Sequence, residues 1–228
     1  MENLPQHVGL IIDGNRRWAR GHGLPAYEGY LAGYNALKEV SHELVDRGVR
    51  YVSVYLFSTE NWHRHKDEVS AVMKLIIRIL STDLNELIDQ EARVVHLGSR
   101  EGLSKNVLKA IDSAIEKTAH LDRAVVGLCI NYGGQQEITE AVRAIIRAKT
   151  PAELVTPELI SDNMYGSDMP PVDLIVRSGG DQRLSNFMLW RAAYSEFTFI
   201  DKFWPEVTKS DVGDMLAEYA RRQRRFGG

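Results

Sequence analysis

Residues 7–20 have the sequence HVGLIIDGNRRWAR, which combines a strand, a turn and the start of a helix. The short apolar run at 8–12 is largely β-branched and predicts a buried strand. Asp13, Gly14 and Asn15 then form a turn before a helix N-terminus, where free amides and the helix dipole favour anions. Because a carboxylate repels phosphate, Asp13 fits such a site only if a divalent cation bridges the two. The stretch predicts a Mg²⁺-dependent phosphate or diphosphate site, with an ordinary Asp-Gly turn as the alternative.

Length and composition limit the class of protein. The chain has 228 residues, enough for one domain over 1–228 with a full hydrophobic core. Its formal charge of −3 does not indicate a nucleic-acid surface. The single cysteine, Cys129, lies in an apolar run, as expected of a small buried side chain in a reducing compartment. With no visible signal peptide or spanning segment, we expect a cytoplasmic protein, with peripheral membrane contact as an option for apolar substrates.

Predicted strands and helices alternate along the chain. Short apolar runs predict six strands, at residues 8–12, 51–57, 93–97, 124–131, 173–177 and 196–200. Helical spacing of apolar residues predicts helices at 31–45, 68–88, 104–118, 136–148, 186–194 and 210–225, and Thr156 starts a further one. This alternation predicts an α/β fold, a single domain with a mainly parallel six-stranded sheet flanked by helices.

Polar clusters follow four of the predicted strands. They are DGNRR at 13–17, STENWHR at 58–64, NYGG at 131–134 and RSGGDQRLSN at 177–186. Because ligands bind at the carboxyl ends of parallel strands, we expect these clusters to form one site. The first and last combine glycines with arginines, a composition suited to holding phosphate. Each alone could be a surface turn, but the two together predict two phosphorylated substrates.

Other chemistries have weaker support. There is no Gly-x-Gly-x-x-Gly after the first strand and no Walker-type Gly-x-x-x-x-Gly-Lys, which argues against nucleotide-binding folds of those kinds. His63 and His65 lack metal-ligand spacing, and Cys129 has no neighbouring base. The four arginines within 221–225 form either a solvated helix end or a third phosphate contact across a dimer interface.

These clusters amount to a family resemblance over nearly the whole chain. The motifs, in order, are HV at 7–8, DGNRRW at 13–18, FSTENW at 57–62 with Arg64, NYGG at 131–134, DLIVR at 173–177, GGDQRLSNF at 179–187, LW at 189–190, YSE at 194–196, WP at 204–205 and RRFG at 224–227. The chain resembles a cis-prenyltransferase, the family that includes undecaprenyl diphosphate synthase. The resemblance implies a homodimeric, Mg²⁺-dependent enzyme of isoprenoid biosynthesis that condenses an allylic diphosphate with isopentenyl diphosphate and forms a cis double bond.

The resemblance also implies catalytic roles. Asp13 would bind Mg²⁺ with the diphosphates, and Glu196 would supply a second carboxylate near the metal. Asn15 would help ionisation or proton loss. Ser58 and Asn61 would organise the reacting centre from a mobile loop.

Binding roles follow in the same way. The residues expected at the allylic diphosphate are Gly14, Asn15, Arg16 and Arg17, with Trp18 nearby. Those expected at isopentenyl diphosphate are Arg177, Arg183 and Ser185, with Arg225 and Gly227 from the partner subunit. The mobile loop would also contribute Glu60, Trp62 and Arg64.

The implied chemistry explains these residue types. Breaking the allylic C–O bond creates a carbocation and a diphosphate, whose charge Mg²⁺ and arginine must balance. The cation must also be kept from water, so the growing chain needs a dry apolar channel. The helices at 31–45 and 68–88 and the strand at 51–57 could form its walls, although such faces are more often plain core.

Three positions depart from the long-chain members of the family. Ala26 and Tyr30 stand where those members usually have Arg and His, and Arg16, often Gly in relatives, could compensate for the lost cation. Leu56 stands where long-chain enzymes often have Ala, so it would narrow the channel and limit chain length. The combination resembles short-chain enzymes that make (Z,E)-farnesyl diphosphate, with geranyl diphosphate as the expected starter. A long-chain undecaprenyl-type synthase, a branching condensation of two allylic units and a non-catalytic partner subunit are the alternatives.

Overall fold

The chain forms a sheet of six strands, all parallel, with helices against its faces. A computed structural model describes residues 3–222 of the 228. The strands are β1 His7–Ile11, β2 Tyr51–Ser58, β3 Ala92–Leu97, β4 Ala124–Tyr132, β5 Leu174–Arg177 and β6 Glu196–Phe199. Their order across the sheet is β3-β4-β2-β1-β5-β6. The predicted single α/β domain with a six-stranded parallel sheet is confirmed.

Eight helices connect or cover these strands within the described residues. They are α1 Asn15–Gly21, α2 Ala26–Asp46, α3 Lys66–Ser81, α4 Leu84–Asp89, α5 Lys105–Thr118, α6 Gly134–Arg147, α7 Pro157–Asp162 and α8 Lys209–Arg221. Short 3₁₀ helices lie at Thr59–His63, Ala152–Leu154 and Trp204–Glu206. The hydroxyls of Ser104 and Thr156 cap α5 and α7, since each accepts a backbone N–H bond at the start of its helix. In the part of the chain that is described, no helix has the length and apolar character needed to span a bilayer.

The core lies on both faces of the sheet, as the alternation of side chains along a strand requires. Val8 and Leu10 of β1 are buried in the larger apolar cluster with residues of α2, α3, α5 and α8. Ile11 lies in a second cluster on the opposite face, together with Ile175 and Phe187. Both faces of β1 are therefore covered, which is why the strand is an unbroken apolar run.

A bulge interrupts the end of β2. Tyr55 pairs with Cys129 and Phe57 with Ile130, so Leu56 is an extra residue in β2 with no partner in the ladder. A bulge changes the direction of the side chains around it. Leu56 and Phe57 consequently pack on the same core cluster, whereas Tyr55 packs on the other.

The single helix predicted at 68–88 is wrong, because the segment folds as α3 and α4. The break falls at Thr82 and Asp83, after Ser81 has turned its hydroxyl back to the Ile77 carbonyl at 2.6 Å. Ser, Thr and Asp side chains compete for backbone groups in this way and weaken a helix.

The helix predicted at 186–194 is also wrong, since this segment is a series of turns. Ser185, Asn186 and Met188 have φ values of 48°, 67° and 46°, which belong to the left-handed region. Asn186 leaves its own segment to bond the start of α6, where its carbonyl accepts from Gly134 N–H at 2.7 Å and its Oδ1 from Gln135 N–H at 2.9 Å. Tertiary contacts therefore override the local helical composition.

Candidate active site

The carboxyl ends of β1 and β5 form a crevice. The strands are neighbours, with Ile11 opposite Arg177. The chain leaves β1 towards β2 on one side and leaves β5 towards β6 on the other. The loops after these strands diverge, which is the place where open α/β sheets bind ligands. The first loop carries Asp13, and the second is residues 178–186.

Asp13 lies at the centre of this crevice and is held on several sides. Its Oδ2 accepts from Arg177 Nη2 at 2.8 Å, and its Oδ1 lies 3.2 Å from Arg17 Nη2 and 2.6 Å from the Gly14 amide. The Asp13 carbonyl accepts from the Ser178 hydroxyl at 2.7 Å. Burial alone would raise the pKa of Asp13, but the hydrogen bond and charge of Arg177, with Arg17, lower it below the ordinary value. The carboxylate is therefore ionised at neutral pH.

Arg177 connects Asp13 to the loop after β5. Its side chain is only 4% exposed. Its Nη1 donates to the Ser185 hydroxyl at 2.9 Å and to the Arg183 carbonyl. Asp181 completes the cluster, with Oδ2 lying 2.8 Å from Arg183 Nη2 and 3.4 Å from Arg17 Nη2. Three guanidinium groups thus meet two carboxylates, an arrangement with the donors to bind phosphate oxygens.

Asn15 begins α1, and its side chain lies against α2. The Nδ2 donates to the Ile12 carbonyl at 3.1 Å, while the Oδ1 is buried without a hydrogen-bond partner in residues 3–222. A Cβ on Gly33 would stand 2.1 Å from this Oδ1, and a Cβ on Gly29 would stand 2.2 Å from the Asn15 carbonyl oxygen. Gly29 and Gly33 therefore allow α2 to approach Asn15. Sequence reasoning missed their role, although a spacing of four places both on one helix face.

The loop after β2 closes one side of the crevice. Its 3₁₀ helix, Thr59–His63, is capped by Ser58, whose N–H donates to Asn61 Oδ1 at 3.3 Å. The Trp62 Nε1–H donates to Asn131 Oδ1 at 2.7 Å, and the Glu60 carboxylate accepts from Asn186 Nδ2 at 2.8 Å. These contacts fasten the loop to the ends of β4 and β5. Asn131 is a residue whose role the sequence did not reveal.

Glu68 of α3 is a second residue that sequence reasoning missed. Its carboxylate accepts from Arg16 Nη1 at 3.1 Å, from the Tyr30 hydroxyl at 2.5 Å and from Arg64 Nη1 at 3.0 Å. Glu68 thereby joins α1, α2 and the loop after β2 at the mouth of the crevice. Its spacing of four from Arg64 was the available sequence signal. Arg16 is engaged with Glu68 rather than directed at the Asp13 cluster, which does not support the expectation that it replaces the cation lost at Ala26.

Two adjacent cavities open here, and both are lined by Ile12, Asp13, Tyr55, Asn61 and Arg64. The first has a volume of about 410 Å³ and adds an apolar wall that consists of Leu37, Leu56, Val72, Leu75, Ile76 and Ile79. The second has a volume of about 540 Å³ and adds polar residues, namely Ser58, Glu60, Arg177, Ser185 and Asn186. Two polar pockets therefore meet at Asp13, and the first of them continues between apolar side chains.

Residues 11–227 match the family model described as "Putative undecaprenyl diphosphate synthase". The chain belongs to this family of cis-prenyltransferases. The enzyme is 40% identical to the isoprenyl transferase of Thermotoga maritima, over 99% of this chain and 97% of that protein. It is 38% identical to the ditrans,polycis-undecaprenyl-diphosphate synthase ((2E,6E)-farnesyl-diphosphate specific) of Micrococcus luteus, over 99% and 92% of the two chains.

Solved structures agree with this assignment. The lavandulyl diphosphate synthase from Lavandula x intermedia, in complex with dimethylallyl diphosphate, superposes on the prenyltransferase with a TM-score of 0.94. The two are 29% identical, with 99% of each chain covered. A probable undecaprenyl diphosphate synthase from Campylobacter jejuni gives a TM-score of 0.84 at 30% identity, with both chains fully covered.

The family is generally Mg²⁺-dependent, and Asp13 is a suitable ligand. Mg²⁺ is usually bound in proteins through one or two carboxylates together with substrate phosphates. Asp13 is ionised and stands between arginines that can hold those phosphates. Within residues 3–222 no three His, Cys, Asp or Glu side chains converge on a metal position.

Within one chain Glu196 does not lie beside Asp13, so its role as a second carboxylate near the metal stays a prediction. Glu196 opens β6 opposite Leu174, which pairs with Val8, so it lies at the start of the strands and not at their carboxyl ends. Its carboxylate instead pairs with Arg222 at 3.0 Å.

The other predicted site residues divide into three groups. The crevice brings together Asp13, Gly14, Asn15, Arg16, Arg17, Ser58, Glu60, Asn61, Arg64, Arg177, Arg183 and Ser185, and Leu56 lines the first cavity. Trp18 and Trp62 line neither cavity; Trp18 packs on His22 with ring centroids 4.4 Å apart. Arg225 and Gly227 lie outside the described residues.

Proposed function

We propose that this prenyltransferase condenses geranyl diphosphate with isopentenyl diphosphate and releases a short Z-prenyl diphosphate such as (Z,E)-farnesyl diphosphate. The observation that carries the proposal is the pair of cavities meeting at Asp13, of which the first has an apolar wall. An allylic diphosphate carries a chain that lengthens during the reaction and needs such a wall. Isopentenyl diphosphate is small, and the polar second cavity suits it.

The reaction breaks the allylic C1–O bond, so a diphosphate leaves with the bonding electrons. The double bond of isopentenyl diphosphate then attacks C1, a new C–C bond forms, and a proton leaves to restore a double bond. Mg²⁺, when bound, balances the charge of the leaving diphosphate. Arg17 lies beside Asp13 in the first cavity and binds the same phosphate group from a second direction.

The second substrate is held from β5. Arg177 and Ser185 already bond each other at 2.9 Å, so both present a fixed pair of groups to the diphosphate of isopentenyl diphosphate. Arg183, on the same loop, lines the first cavity and approaches isopentenyl diphosphate from that side. Asn61 lines both cavities and Ser58 lines the second, and this loop after β2 excludes water from the cation.

Two further products are candidates because specific relatives favour them. The high similarity to a lavandulyl diphosphate synthase favours a branching condensation of two allylic units. The identity to a Micrococcus luteus undecaprenyl-diphosphate synthase favours a long-chain product. Leu56 supports the short-chain proposal, because its side chain stands in the wall of the first cavity, where an alanine would leave more room.

A product-length assay tests the proposal. Purified protein and Mg²⁺ would receive labelled isopentenyl diphosphate with geranyl, dimethylallyl or farnesyl diphosphate, and the dephosphorylated products would be separated by chain length. One addition to geranyl diphosphate is the expected result. A ladder of long polyprenols would instead assign a lipid-carrier synthase, and a branched product from dimethylallyl diphosphate alone would assign the branching reaction. Asp13→Asn serves as the inactive control.

The Leu56→Ala variant makes the role of the cavity wall measurable. We expect products at least one isoprenyl unit longer, because the smaller side chain widens the first cavity. Leu24→Ala, at an exposed position that lines neither cavity, is the matched control and should give the wild-type product. Unchanged product length in Leu56→Ala would refute the narrowing argument.

We propose in addition that the enzyme works as a homodimer. The large apolar side chains that remain exposed include Val142, Ile146, Leu154, Val155, Tyr194 and Phe199, all within one continuous third of the sequence. A dimer interface would cover apolar side chains of this kind. The terminal residues Arg225 and Gly227 would then be available to the isopentenyl site of the partner subunit.

A further inference from the structure

The first cavity has a definite end. A separate cavity of about 40 Å³ lies beyond it, and the two are lined in common by Tyr34, Leu37 and Ile79. The small cavity has an apolar floor made by Val54 of β2 and by Leu128 of β4. The space inside the fold therefore continues past the end of the first cavity, and three side chains interrupt it.

Tyr34 is the largest of these three and is held on all sides. It is 8% exposed, and its ring packs between α2 and α3 against Leu75 and Ile79. The Lys38 ammonium lies 5.1 Å from the centre of the ring and is itself fixed by Glu86 at 3.0 Å. Burial, with the Asp83 and Glu86 carboxylates nearby, raises the pKa of the Tyr34 hydroxyl.

A rigid boundary matters because an apolar chain that presses on a flexible side chain can push it aside. Leu37 and Ile79 have only apolar atoms and can change rotamer at little cost. Moving the Tyr34 ring would break its packing on Leu75 and Ile79 and its contact with the Lys38 ammonium, which Glu86 holds in place. Leu56 lines the first cavity but not the small one, so it is not part of the boundary.

We infer that Tyr34 is the residue that ends chain growth, by closing the apolar end of the first cavity against the space beyond it. In this arrangement Leu56 narrows the path, whereas Tyr34 sets how far the growing chain can extend. The inference rests on the proposed function, because it assigns a determinant of specificity to the same reaction.

The test compares the product lengths of wild type, Tyr34→Ala and Tyr34→Phe with geranyl diphosphate, Mg²⁺ and labelled isopentenyl diphosphate. Tyr34→Ala joins the two cavities, so we expect the main product to lengthen by at least one isoprenyl unit. Tyr34→Phe keeps the ring and removes only the hydroxyl, so we expect the wild-type product. Tyr27→Ala, an exposed tyrosine on the same helix, should leave product length unchanged.

The outcomes separate the two proposals. The wild-type product alone decides the short-chain function, whatever Tyr34 does. A folded Tyr34→Ala enzyme that makes the wild-type length overturns the inference, even if the short-chain function holds. If Tyr34→Ala is too unstable to assay, Tyr34→Leu removes most of the ring while keeping an apolar side chain, and an unchanged product in that variant is equally decisive against the inference.

Discussion

Arg177 and Asp13 pair a buried cation with a half-exposed anion. Burying an unpaired guanidinium would be costly, so Arg177 needs Asp13, Ser185 and the Arg183 carbonyl as partners. The same three contacts point its donors toward the second cavity. Structural and functional demands on Arg177 therefore coincide. Both residues of the pair were predicted from the sequence, because each follows an apolar run that ends at the same sheet edge.

His7 provides a prediction on pH. The ring is fully buried, with Nδ1 2.9 Å from the Pro170 carbonyl and Nε2 2.8 Å from the Ser53 hydroxyl, so Nδ1 carries the proton and Nε2 accepts. Burial lowers the pKa of His7 from 6.5 to about 4. Between these values the unfolded chain binds a proton that the folded chain does not, so the free energy of unfolding falls as pH drops from 6.5 to 4, by up to about 3 kcal/mol.

Urea unfolding of wild type and His7→Gln between pH 7.5 and 4 measures this effect. The variant should be less stable at pH 7.5, but its stability should fall less steeply below pH 6.5. Asp13, whose pKa is lowered in the folded state, also costs stability as the pH approaches its unfolded value, but it does so equally in both proteins, so the difference between the curves reports His7. Parallel curves for the two proteins would show that His7 does not titrate in this window.

At the scale of elements, Asn131 links three of them. It is the second-last residue of β4 and has a φ of 53°, a conformation that asparagine tolerates better than most residues. Its Oδ1 accepts from Trp62, and its Nδ2 donates to the carbonyls of Ser99 and Glu101 at 3.0 and 2.9 Å. The side chain thus connects the loop after β2 to the loop after β3.

Asn131→Asp tests this connection. The aspartate keeps the acceptor for Trp62 but faces two carbonyls with a carboxylate, so we expect kcat/KM to fall about 5- to 100-fold as the loop loosens. Trp62→Phe removes the indole N–H and keeps an aromatic ring beside Phe57. If both act through one contact, the double variant should lose little more than the worse single variant. Fully additive losses would separate Asn131 from the loop.

The sequence predicted elements best where one local signal was enough. All six strands are short apolar runs and lie where predicted, because both faces of a parallel sheet are buried. The bulge at Leu56 depends on how β2 meets β4, and the turns at 186–194 depend on Asn186 reaching α6. Glu68 and Asn131 likewise act through partners more than 30 residues away, namely Tyr30 and Ser99. Contacts of this kind leave no mark in a short window of sequence.

At the scale of the whole molecule, the proposed homodimer gives a prediction. Among the large apolar side chains of the described residues, that of Ile146 in α6 is the most exposed, at 68%. Ile146→Glu would place a charge in the interface, and desolvating it should weaken dimerisation about tenfold or more. Light scattering after size exclusion measures the change across a dilution series. Leu24→Glu, exposed between α1 and α2, is the control, and a monomeric wild type would refute the proposal.

The strand order also determines when, during translation, the two halves of the active site become available. Arg177 follows Asp13 by 164 residues, yet β1 and β5 are neighbours at the middle of the sheet. At about 5–20 residues per second, the ribosome delivers the arginine roughly 8–30 s after the aspartate. During that interval one edge of β1 has no native partner, and an open strand edge favours wrong pairing. A chain that stops before β5 carries the aspartate on an unfinished sheet, so this enzyme can acquire a working centre only near the end of its own translation.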